Sequence, residues 1–372
     1  MLVASLAVLN VLRRAGGRSK PESPARILVL HHLLLGDTIL LTPLLKKLRA
    51  VYPRAHIIMT CSVPYIGLYS ARPYGVEVLP FDDRDIGSIR RMFRQDRFDL
   101  TLIPAENRLS WLAAAIGSRW VVAFDGDRPA YKNWLIDELR PFPRTPMAWG
   151  DLVCLLLDGP PPAPYSPTEW PAPGCEPFEL PSKPYAVLHV GASSRLRLWE
   201  PEKWRELASH VRSLGLAVVL TAGPRETYLL EEVDPDWLYR RYAATLALEQ
   251  MWRLLAQADL LVCLDTGIAH LGRLVGVPSV VLFGPGSATL FGGGDFWRTI
   301  PDRKVFVPDF PCRDENMIFR RHVDWAGHCG RTTLQCSAPK CMHALTVKSV
   351  GQAVDDLISR RTGTGHQNSS TN

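Results

Sequence analysis

The chain has 372 residues. At roughly 150 residues per domain, this length fits one large domain or two medium ones and excludes a small module. Hydrophobic residues make up 47% of the chain and charged residues 22%, which excludes wholesale disorder. The net charge of +6 favours anionic partners, and no nucleic-acid-binding motif accompanies it. No run of 18 apolar residues is present, so we expect no membrane-spanning helix.

From residue 26 onward the chain alternates between strand and helix patterns. Apolar runs predict strands at 26–32, 55–61, 76–81, 98–104 and 120–124, and leucines at helical spacing predict a helix over 37–51. Unbroken apolar strands that alternate with helices indicate a parallel sheet covered on both faces. Residues 1–24 precede this pattern and begin with an apolar run that ends at Arg13-Arg14. This N-terminal tail is either a frayed end or a short helix lying at a membrane surface.

Ten prolines between residues 160 and 184 indicate a domain boundary, because such a segment can be neither helix nor central strand. The alternation then restarts, with strands predicted at 185–190, 216–221, 259–264 and 279–283 and helices at 201–214, 248–257 and 266–275. The predicted division is an N-terminal tail (1–24), an N-terminal domain (25–158), a proline-rich linker (159–184), a C-terminal domain (185–345), a last helix (346–361) and a disordered tail (362–372).

Ligands bind such sheets beyond the carboxyl ends of the strands, so the strand-to-helix junctions are candidate sites. The first junction holds Gly36 and Asp37. Asp37 is either a reactive carboxylate or the N-cap of the following helix. No GxGxxG motif follows the first strand, which counts against a dinucleotide-dependent oxidoreductase.

Two further junctions lie in the second half of the chain. After the strand that ends near His189 come small residues and then Arg195 and Arg197, which suit a phosphate-bearing ligand or belong to a solvated loop. Asp265 ends a buried strand and can cap the next helix, so the Thr266 and Gly267 amides would form an anion site. The alternative is a capped helix whose His270 has only a structural partner.

Four segments occur in order at domain-scale spacing: 36–37 (GD) with Pro43, 199–204 (WEPEKW), 223–226 (GPRE), and 265–270 (DTGIAH) with Gly284-Pro285. Together they resemble the heptosyltransferases of glycosyltransferase family 9, over roughly residues 26–360. The resemblance implies an α/β protein of GT-B fold, with two Rossmann-like domains facing a central cleft. It also implies an inverting enzyme that transfers heptose from ADP-heptose, usually to lipopolysaccharide inner-core sugars at the cytoplasmic face of the inner membrane.

The resemblance assigns roles by position. Asp37 matches the catalytic base, which an inverting transfer needs to accept the proton of the acceptor hydroxyl. The donor-contacting positions are matched by Arg197 at the phosphates, Glu226 at the ribose, Leu246 near the adenine, and Asp265, Thr266, Gly267 and His270 in the donor-binding signature. Arg197, with Arg195 beside it, and a helix N-terminus can stabilise the leaving diphosphate without a metal. No cofactor is therefore expected for catalysis.

Two features stand apart from this pattern. Leu33-Leu34-Leu35 precedes the Gly-Asp pair, where members of the family often carry basic or polar residues. The segments 125–127 (DGD) and 234–236 (DPD) have the form DxD but lie in turn-like sequence outside the junctions, so we interpret them as turns.

Four cysteines crowd into the loop 312–341 of the predicted C-terminal domain: Cys312, Cys329, Cys336 and Cys341. Two interpretations stay open, a structural Zn or Fe site and free or paired thiols. If the four thiolates bind one metal at about 2.3 Å, each pair of sulfurs should lie within roughly 4 Å.

A basic run over 84–97 is either a solvated helix face or a contact for an anionic glycolipid acceptor. The expected partners are a nucleotide-sugar donor and such an acceptor, with no nucleic acid. We expect a cytoplasmic protein, either free or peripheral on the inner membrane. The rival functions are transfer of another sugar or to a protein acceptor, and a catalytically silent sugar-nucleotide-binding protein.

Overall fold

A computed structural model describes residues 19–243 and 245–364, with side chains as far as residue 360. Most of the predicted N-terminal tail and the last eight residues lie outside this range. The described chain forms two compact units. The N-terminal unit runs to Pro164 and also includes Thr168–Pro173 and Asn316–Ala326. The C-terminal unit comprises Tyr165–Pro167, Gly174–Glu315 and the chain from Gly327.

The N-terminal unit is built on a parallel sheet of six strands in the order β3-β2-β1-β4-β5-β6. Its strands are β1 (Arg26–Val29), β2 (His56–Cys61), β3 (Val76–Pro80), β4 (Leu100–Ile103), β5 (Trp120–Phe124) and β6 (Glu138–Arg140). Its helices are α1 (Leu35–Ile39), α2 (Thr42–Val51), α3 (Ile86–Phe93), α4 (Ser110–Ala115) and α5 (Trp149–Val153). Leu28 and Ile58 on the central strands pack into a fully buried core, as the continuous apolar runs predict.

The C-terminal unit repeats this design with the sheet order β12-β11-β10-β7-β8-β9, again all parallel. Its strands are β7 (Tyr185–His189), β8 (Ala217–Ala222), β9 (Arg240–Ala243), β10 (Leu260–Leu264), β11 (Ser279–Phe283) and β12 (Asp302–Phe306). Its helices are α6 (Pro201–Ser213), α7 (Tyr228–Val233), α8 (Leu248–Gln257), α9 (Gly267–Val275), α10 (Lys340–His343) and α11 (Val347–Thr364). The last helix therefore continues three residues beyond the predicted end at residue 361.

Both sheets have the strand order 3-2-1-4-5-6 of a doubly wound fold. In the N-terminal unit, strands β1 to β3 are added toward one edge of the sheet and β4 to β6 toward the other, so the strand order reverses between β1 and β4. In the C-terminal unit it reverses in the same way between β7 and β10. Crevices for ligands open beyond the carboxyl ends of the strands at such a reversal. The predicted α/β fold of two Rossmann-like units is confirmed, and its topology locates the two places where sites are expected.

The nine predicted strands coincide with the eight central strands and the edge strand β3, whereas the other three edge strands were missed. β6, β9 and β12 each lie at an edge of their sheet and have the sequences ELR, RRYA and DRKVF. An edge strand is half exposed and so carries charged side chains instead of an unbroken apolar run. A search for unbroken apolar runs therefore missed these three strands, whereas it found the edge strand β3, whose sequence VEVLP is more apolar.

The single helix predicted over 37–51 is two helices, α1 and α2. In a continuous helix the amide of Pro43 would donate to the carbonyl of Ile39, but proline has no N–H group. The Thr42 hydroxyl donates to that carbonyl instead, at 2.5 Å. The break leaves α1 as a separate short helix that presents Asp37.

The proline-rich segment is packed against the two units instead of being a solvated linker. Tyr165 is buried in the C-terminal unit and donates its hydroxyl to the Leu274 carbonyl at 2.7 Å. Trp170 is buried in the N-terminal unit, where its indole N–H donates to the Leu68 carbonyl at 3.1 Å. Buried aromatic side chains with satisfied polar groups hold the segment in place.

The segment Asn316–Ala326 was predicted to lie in the C-terminal domain, and the structure assigns it to the N-terminal unit. It forms a hairpin of β13 (Met317–Ile318) and β14 (Arg321–His322). The Arg321 side chain is 2% exposed and anchors the hairpin by donating to the carbonyls of Ala105 and Asp125 and to the Asn107 side chain. A single buried arginine that satisfies several carbonyls makes this placement specific.

Candidate functional site

Asp37 lies in the first turn of α1, beyond the carboxyl end of β1. The N-cap residue of this helix is Leu34, so the interpretation of Asp37 as an N-cap is wrong. Asp37 instead lines a cavity of about 220 Å³ whose other walls come from the segments that follow β1 and β4, from Ile103 at the end of β4 and from Phe319 of the hairpin. This position is the switch point of the N-terminal sheet, where a ligand is expected.

His31 is a buried member of this cavity that the motif comparison did not single out. Its side chain is 2% exposed, and its Nδ1 accepts a hydrogen bond from the Leu33 N–H at 3.3 Å. Burial and the neighbouring His32 lower the pKa of His31 to about 3, so the ring is neutral at physiological pH. Within the described part of the chain, its Nε2 has no hydrogen-bond partner. The sequence signal that could have identified His31 is its place at the end of a predicted buried strand, where ligands bind in such sheets.

The rim of the same cavity carries paired charges. His32 Nδ1 lies 2.9 Å from a carboxylate oxygen of Asp83, and Arg108 forms ion pairs with Asp83 and Glu106. His32, Asp82 and Asp83 form the one group of three metal-ligating side chains in the described chain whose ligand atoms lie within 4.8 Å of one another. The guanidinium of Arg108 already neutralises Asp83, so we do not interpret these three side chains as a metal site.

The second candidate junction connects β10 to α9 in the C-terminal unit. Asp265 follows β10 and is 5% exposed, and Thr266 is the N-cap residue of α9. The prediction that Asp265 caps this helix is therefore wrong. Within the described chain, Asp265 Oδ2 and Thr266 Oγ1 are buried without a hydrogen-bond partner. Orphaned buried polar atoms are rare in folded proteins and concentrate at functional sites.

The structure brings Arg197 to this junction. The guanidinium Nη1 donates to the Asp265 backbone carbonyl at 2.6 Å and lies 3.8 Å from the Asp265 Oδ2. Arg197 belongs to the 3-10 turn Arg195–Arg197, in which Arg195 is exposed. Burial raises the pKa of Asp265, and the charges of Arg197 and Arg273 oppose that rise. The arginine loop and the DTG segment, two of the three junctions that the sequence singles out, thus contact each other through Arg197 and Asp265.

His270 is buried in α9 and contacts an arginine that the sequence comparison missed. Arg273 is 0% exposed, and its Nη1 lies 2.9 Å from His270 Nδ1. A guanidinium can only donate, so His270 Nδ1 accepts and its Nε2 carries the proton. Burial, followed by Arg273 and Arg197, holds the pKa of His270 well below its ordinary value. Arg273 also pairs with Asp302 at 2.9 Å. Arg273 follows His270 by three residues, which is one turn of a helix, and this spacing is the sequence signal that could have identified it.

Glycine backbones leave room for two carboxylates of the predicted donor site. Glu226 Oε2 accepts a hydrogen bond from the Gly223 amide at 3.1 Å and lies 2.1 Å from where a Cβ at Gly191 would stand. Asp265 Oδ2 lies equally close, at 2.1 Å, to the Cβ position of Gly286. Glycine is therefore required at both positions for these carboxylates to lie where they do.

The remaining predicted donor position, Leu246, lies between β9 and α8 and is partly exposed. The two DxD segments lie in loops, 125–127 directly after β5 and 234–236 directly after α7. Asp127 is fully buried and pairs with Lys132 at 3.0 Å. Asp234 is buried and accepts hydrogen bonds from the Leu238 and Tyr239 amides. These aspartates are therefore structural.

The four cysteines of the loop 312–341 line one cavity of about 560 Å³ in the C-terminal unit. All four thiols are free. Among the described residues, however, no three of these sulfurs lie within 4.8 Å of one another. A tetrahedron with arms of 2.3 Å has edges of about 3.8 Å. The convergence predicted for a bound metal is absent, and the residues as arranged do not form a closed metal site.

The basic run lies on and around α3. Arg84, Arg90, Arg94 and Arg97 are exposed, whereas Arg91 donates to the Ser88 hydroxyl at 2.7 Å. Among the residues that the structure describes, no helix combines the length and the apolar character needed to cross a membrane.

Sequence comparison identifies the family. The model of glycosyltransferase family 9 (heptosyltransferase) matches residues 87–305. Lipopolysaccharide heptosyltransferase 1 of Salmonella typhimurium is 33% identical over 113 residues, which cover 30% of this chain and 36% of that protein. Its counterpart in Pseudomonas aeruginosa is 31% identical over 137 residues, 36% of each chain. The matched segments thus span about a third of these relatives.

Solved structures share the fold at low sequence identity. E. coli ADP-heptose lps heptosyltransferase II has a TM-score of 0.67 at 18% identity, covering 91% of this chain and 99% of that one. E. coli heptosyltransferase WaaC with ADP has a TM-score of 0.66 at 16% identity, covering 89% and 99%. The iron-containing glycosyltransferase TibC from E. coli has a TM-score of 0.56 at 15% identity, covering 92% and 78%. The chain therefore has the GT-B fold and belongs to glycosyltransferase family 9 (heptosyltransferase).

Proposed function

We propose that this protein is an inverting glycosyltransferase that transfers heptose from ADP-heptose to an acceptor of the lipopolysaccharide inner-core type. One observation carries the proposal: the β10–α9 junction holds buried polar atoms that have no hydrogen-bond partner within the described chain. These atoms are Asp265 Oδ2, Thr266 Oγ1 and Arg273 Nη2. Such a group of atoms is costly unless a ligand satisfies it.

On the donor side, charge and glycine spacing suit a nucleoside diphosphate sugar. The amides at the start of α9, at Thr266 and Gly267, would hold a diphosphate oxygen. Arg197 and the exposed Arg195 would balance the charge that grows on the leaving ADP. His270, fixed as an Nε2–H donor, would add a neutral hydrogen bond. Glu226 would accept from the ribose hydroxyls, and Leu246 would contact the adenine.

On the acceptor side, Asp37 would act as the general base. The acceptor hydroxyl oxygen attacks the anomeric carbon, its proton passes to Asp37, and the bond from the anomeric carbon to ADP breaks with inversion. The electron pair of that bond leaves with the diphosphate. This sequence needs neither a redox step nor a cofactor, and the four-cysteine loop has no part in it.

We also propose that the acceptor is an anionic glycolipid and that the protein contacts the cytoplasmic face of the inner membrane peripherally. The exposed arginines Arg90, Arg94 and Arg97 support this, because a basic surface is attracted to anionic headgroups. Sedimentation with vesicles containing phosphatidylglycerol should capture the protein at low salt and release it at high salt. Equal sedimentation with neutral vesicles would contradict the proposal.

The experiment that tests the function is turnover with ADP-heptose and a set of truncated core acceptors, followed by mass spectrometry of the products. The expected product carries one added heptose with inverted anomeric configuration, and the Asp37→Asn variant is the inactive control. Transfer only from another nucleotide sugar, or only to a protein acceptor, would replace the substrate assignment. ADP binding without any transfer would indicate a silent sugar-nucleotide-binding protein.

A further inference from the structure

We infer that the C-terminal unit has a second anion site, a basic cavity at the amino ends of β11 and β12 that binds the dianionic group of a phosphate monoester. This basic cavity has a volume of about 530 Å³ and is lined by Pro278, by the start of β12 and by the loop that precedes it. The inference does not depend on the proposed function, because none of the lining residues belongs to the candidate donor site.

The basic cavity lies at the opposite end of the sheet from the β10–α9 junction. Pro278 and Pro301 directly precede β11 and β12, whereas Asp265 directly follows β10, and these neighbouring strands are parallel. A strand of five residues is about 16 Å long, so one phosphate group cannot contact both places. A ligand in the basic cavity would therefore occupy a site of its own.

The charges of the basic cavity favour an anion. Its positively charged lining residues are Arg298, Arg303, Lys304 and Arg360. Among the described lining residues the one carboxylate is Asp302, which is already paired with the buried Arg273 at 2.9 Å. Within the described chain, no carboxylate forms an ion pair with Arg298, Arg303 or Lys304. Positive charges that share a cavity without counter-ions attract an anionic ligand.

Two of these cations are positioned by neutral groups. The Lys304 Nζ lies 2.9 Å from where a Cβ at Gly292 would stand, so the lysine side chain occupies space that any other residue there would fill. The Arg303 Nη1 donates to the Asp302 backbone carbonyl at 3.0 Å. Because these contacts fix the side chains without neutralising them, less conformational entropy is lost when an anion binds.

Trp297 supplies an observation that is independent of the charges. Its side chain is 2% exposed and lines the basic cavity, and its Nε1–H has no hydrogen-bond partner within the described chain. A buried donor without a partner costs about 1–3 kcal/mol, which a ligand oxygen recovers by accepting its hydrogen bond. The indole packs against the buried Tyr165, with 4.5 Å between ring centroids. It therefore points to the same class of ligand, one that carries acceptor oxygens.

The number of cations favours a phosphate monoester over a diester. A monoester carries about 1.5 to 2 negative charges at pH 7, whereas a diester carries a single charge. The volume of about 530 Å³ is typical of small-molecule sites, and Ile300 and Leu357 add apolar wall, so an organic substituent has room beside the phosphate. A soluble phosphate ester and the monoester headgroup of a lipid share this chemistry.

The test titrates the full chain with methyl phosphate and with dimethyl phosphate, which differ by one methyl group and one negative charge. About 0.1 M chloride screens diffuse attraction, and saturating ADP competes for the proposed donor site. Binding is followed by the indole N–H resonance of Trp297, which Trp297→Phe identifies in the spectrum. We expect a saturable shift, with methyl phosphate binding about tenfold or more tightly than dimethyl phosphate. Equal affinities, or no shift with either compound, would overturn the inference.

A pair of charge-matched variants assigns the contacts. The variant that combines Arg298→Gln with Lys304→Gln should weaken methyl phosphate binding about tenfold or more. The control combines Arg253→Gln with Lys348→Gln, which remove the same charge from α8 and α11 outside the cavity lining. All four side chains are exposed, so we expect both variants to fold. The same affinity in the cavity variant and in the control would remove these cations from the site.

Vesicles then distinguish the two sources of the monoester. Phosphatidylcholine vesicles that contain phosphatidic acid present a lipid monoester, and vesicles of equal charge that contain phosphatidylglycerol present a diester. If the ligand is a lipid, phosphatidic acid vesicles should capture the control better than the cavity variant. Equal capture of the two variants, together with the methyl phosphate shift, would assign the site to a soluble phosphate ester.

Calorimetry with ADP on the same samples separates this inference from the proposed function. If ADP binds and methyl phosphate leaves the Trp297 resonance unshifted, the donor assignment stands and the inference about the basic cavity falls. If methyl phosphate shifts the resonance and ADP does not bind, the proposed function falls and this inference stands.

Discussion

The two units have the same sheet topology but different chemistry at their switch points. Beyond β1 and β4, the N-terminal unit has Asp37 and the neutral His31 among mainly apolar side chains, with Glu106 paired to Arg108. Beyond β7 and β10, the C-terminal unit has buried charges, among them Asp265 and Arg273, and the nearby Arg197. The doubly wound topology therefore determines where a ligand binds, and the junction residues determine which chemistry occurs there.

This contrast suits a division of labour. A nucleoside diphosphate needs cations and helix amides, which the C-terminal junction offers. A hydroxyl nucleophile needs a base, which Asp37 in the N-terminal cavity would supply. The predictions below test each side of this comparison in turn.

The largest effect is expected at Asp37. Asp37→Asn should lower the transfer rate about 10²–10⁴-fold, because an amide cannot accept the proton, while ADP affinity stays nearly unchanged. Steady-state turnover and calorimetry on the same sample measure both. A variant with near-normal turnover would remove the base from the N-terminal unit and break the comparison.

Arg197 tests the opposite side. Arg197→Ala should lower turnover by about 2–4 kcal/mol and weaken ADP binding, because the growing diphosphate charge loses a cation. Arg197→Lys should restore part of the loss, since it keeps the charge but not the fork geometry. Equal kinetics for the wild type and both variants would mark Arg197 as a surface residue with no donor contact.

Gly286 tests how closely the backbone must approach Asp265. Gly286→Ala would place a methyl group where Asp265 Oδ2 now lies, which should weaken ADP binding by about 1–3 kcal/mol. The matched control is Gly174→Ala, because nothing lies within 4 Å of the added carbon there. ADP affinity that is the same in both variants would contradict the arrangement described.

The pH dependence of stability sharpens the comparison further. Burial lowers the pKa of His189 to about 4, so this histidine stays neutral in the folded chain while the unfolded chain takes up a proton below pH 6.5. Its contribution is present above pH 6.5 and is lost as the pH falls toward 4, by about 2 kcal/mol at pH 5. His189→Gln should therefore reduce the drop in melting temperature between pH 7 and pH 5. An unchanged drop would contradict the burial of a neutral ring.

The smallest effect concerns the cysteine loop. Because the four sulfurs do not converge, we expect elemental analysis to give well below one Zn or Fe per chain, and chelators to leave the melting temperature unchanged. One equivalent of metal that chelation removes, with loss of stability, would show that the loop closes around an ion.

Much of the architecture could be predicted from local pattern alone. Central strands are buried on both faces, so their residues form apolar runs, and the helix over 248–257 has bounds identical to those observed. The sequence also singled out Asp37, Arg197 and the DTG segment as candidate site residues. Each lies in a short motif directly after a predicted strand, where residue type and spacing can be read without the structure. Edge strands such as β9 could not, because half-exposed residues carry no unbroken apolar signal.

The chain by itself thus determined the alternation of elements, the two-unit organisation and the residue types at the junctions, since these follow from local periodicity and composition. Only the tertiary structure decided which distant side chains share an environment. It placed the hairpin of Phe319 and Arg321 in the N-terminal unit, paired Arg273 with His270, and arranged the four cysteines so that no three of their sulfurs lie within 4.8 Å of one another. Burial, tautomer and ion pairing depend on neighbours that are far apart in sequence, so no local pattern encodes them.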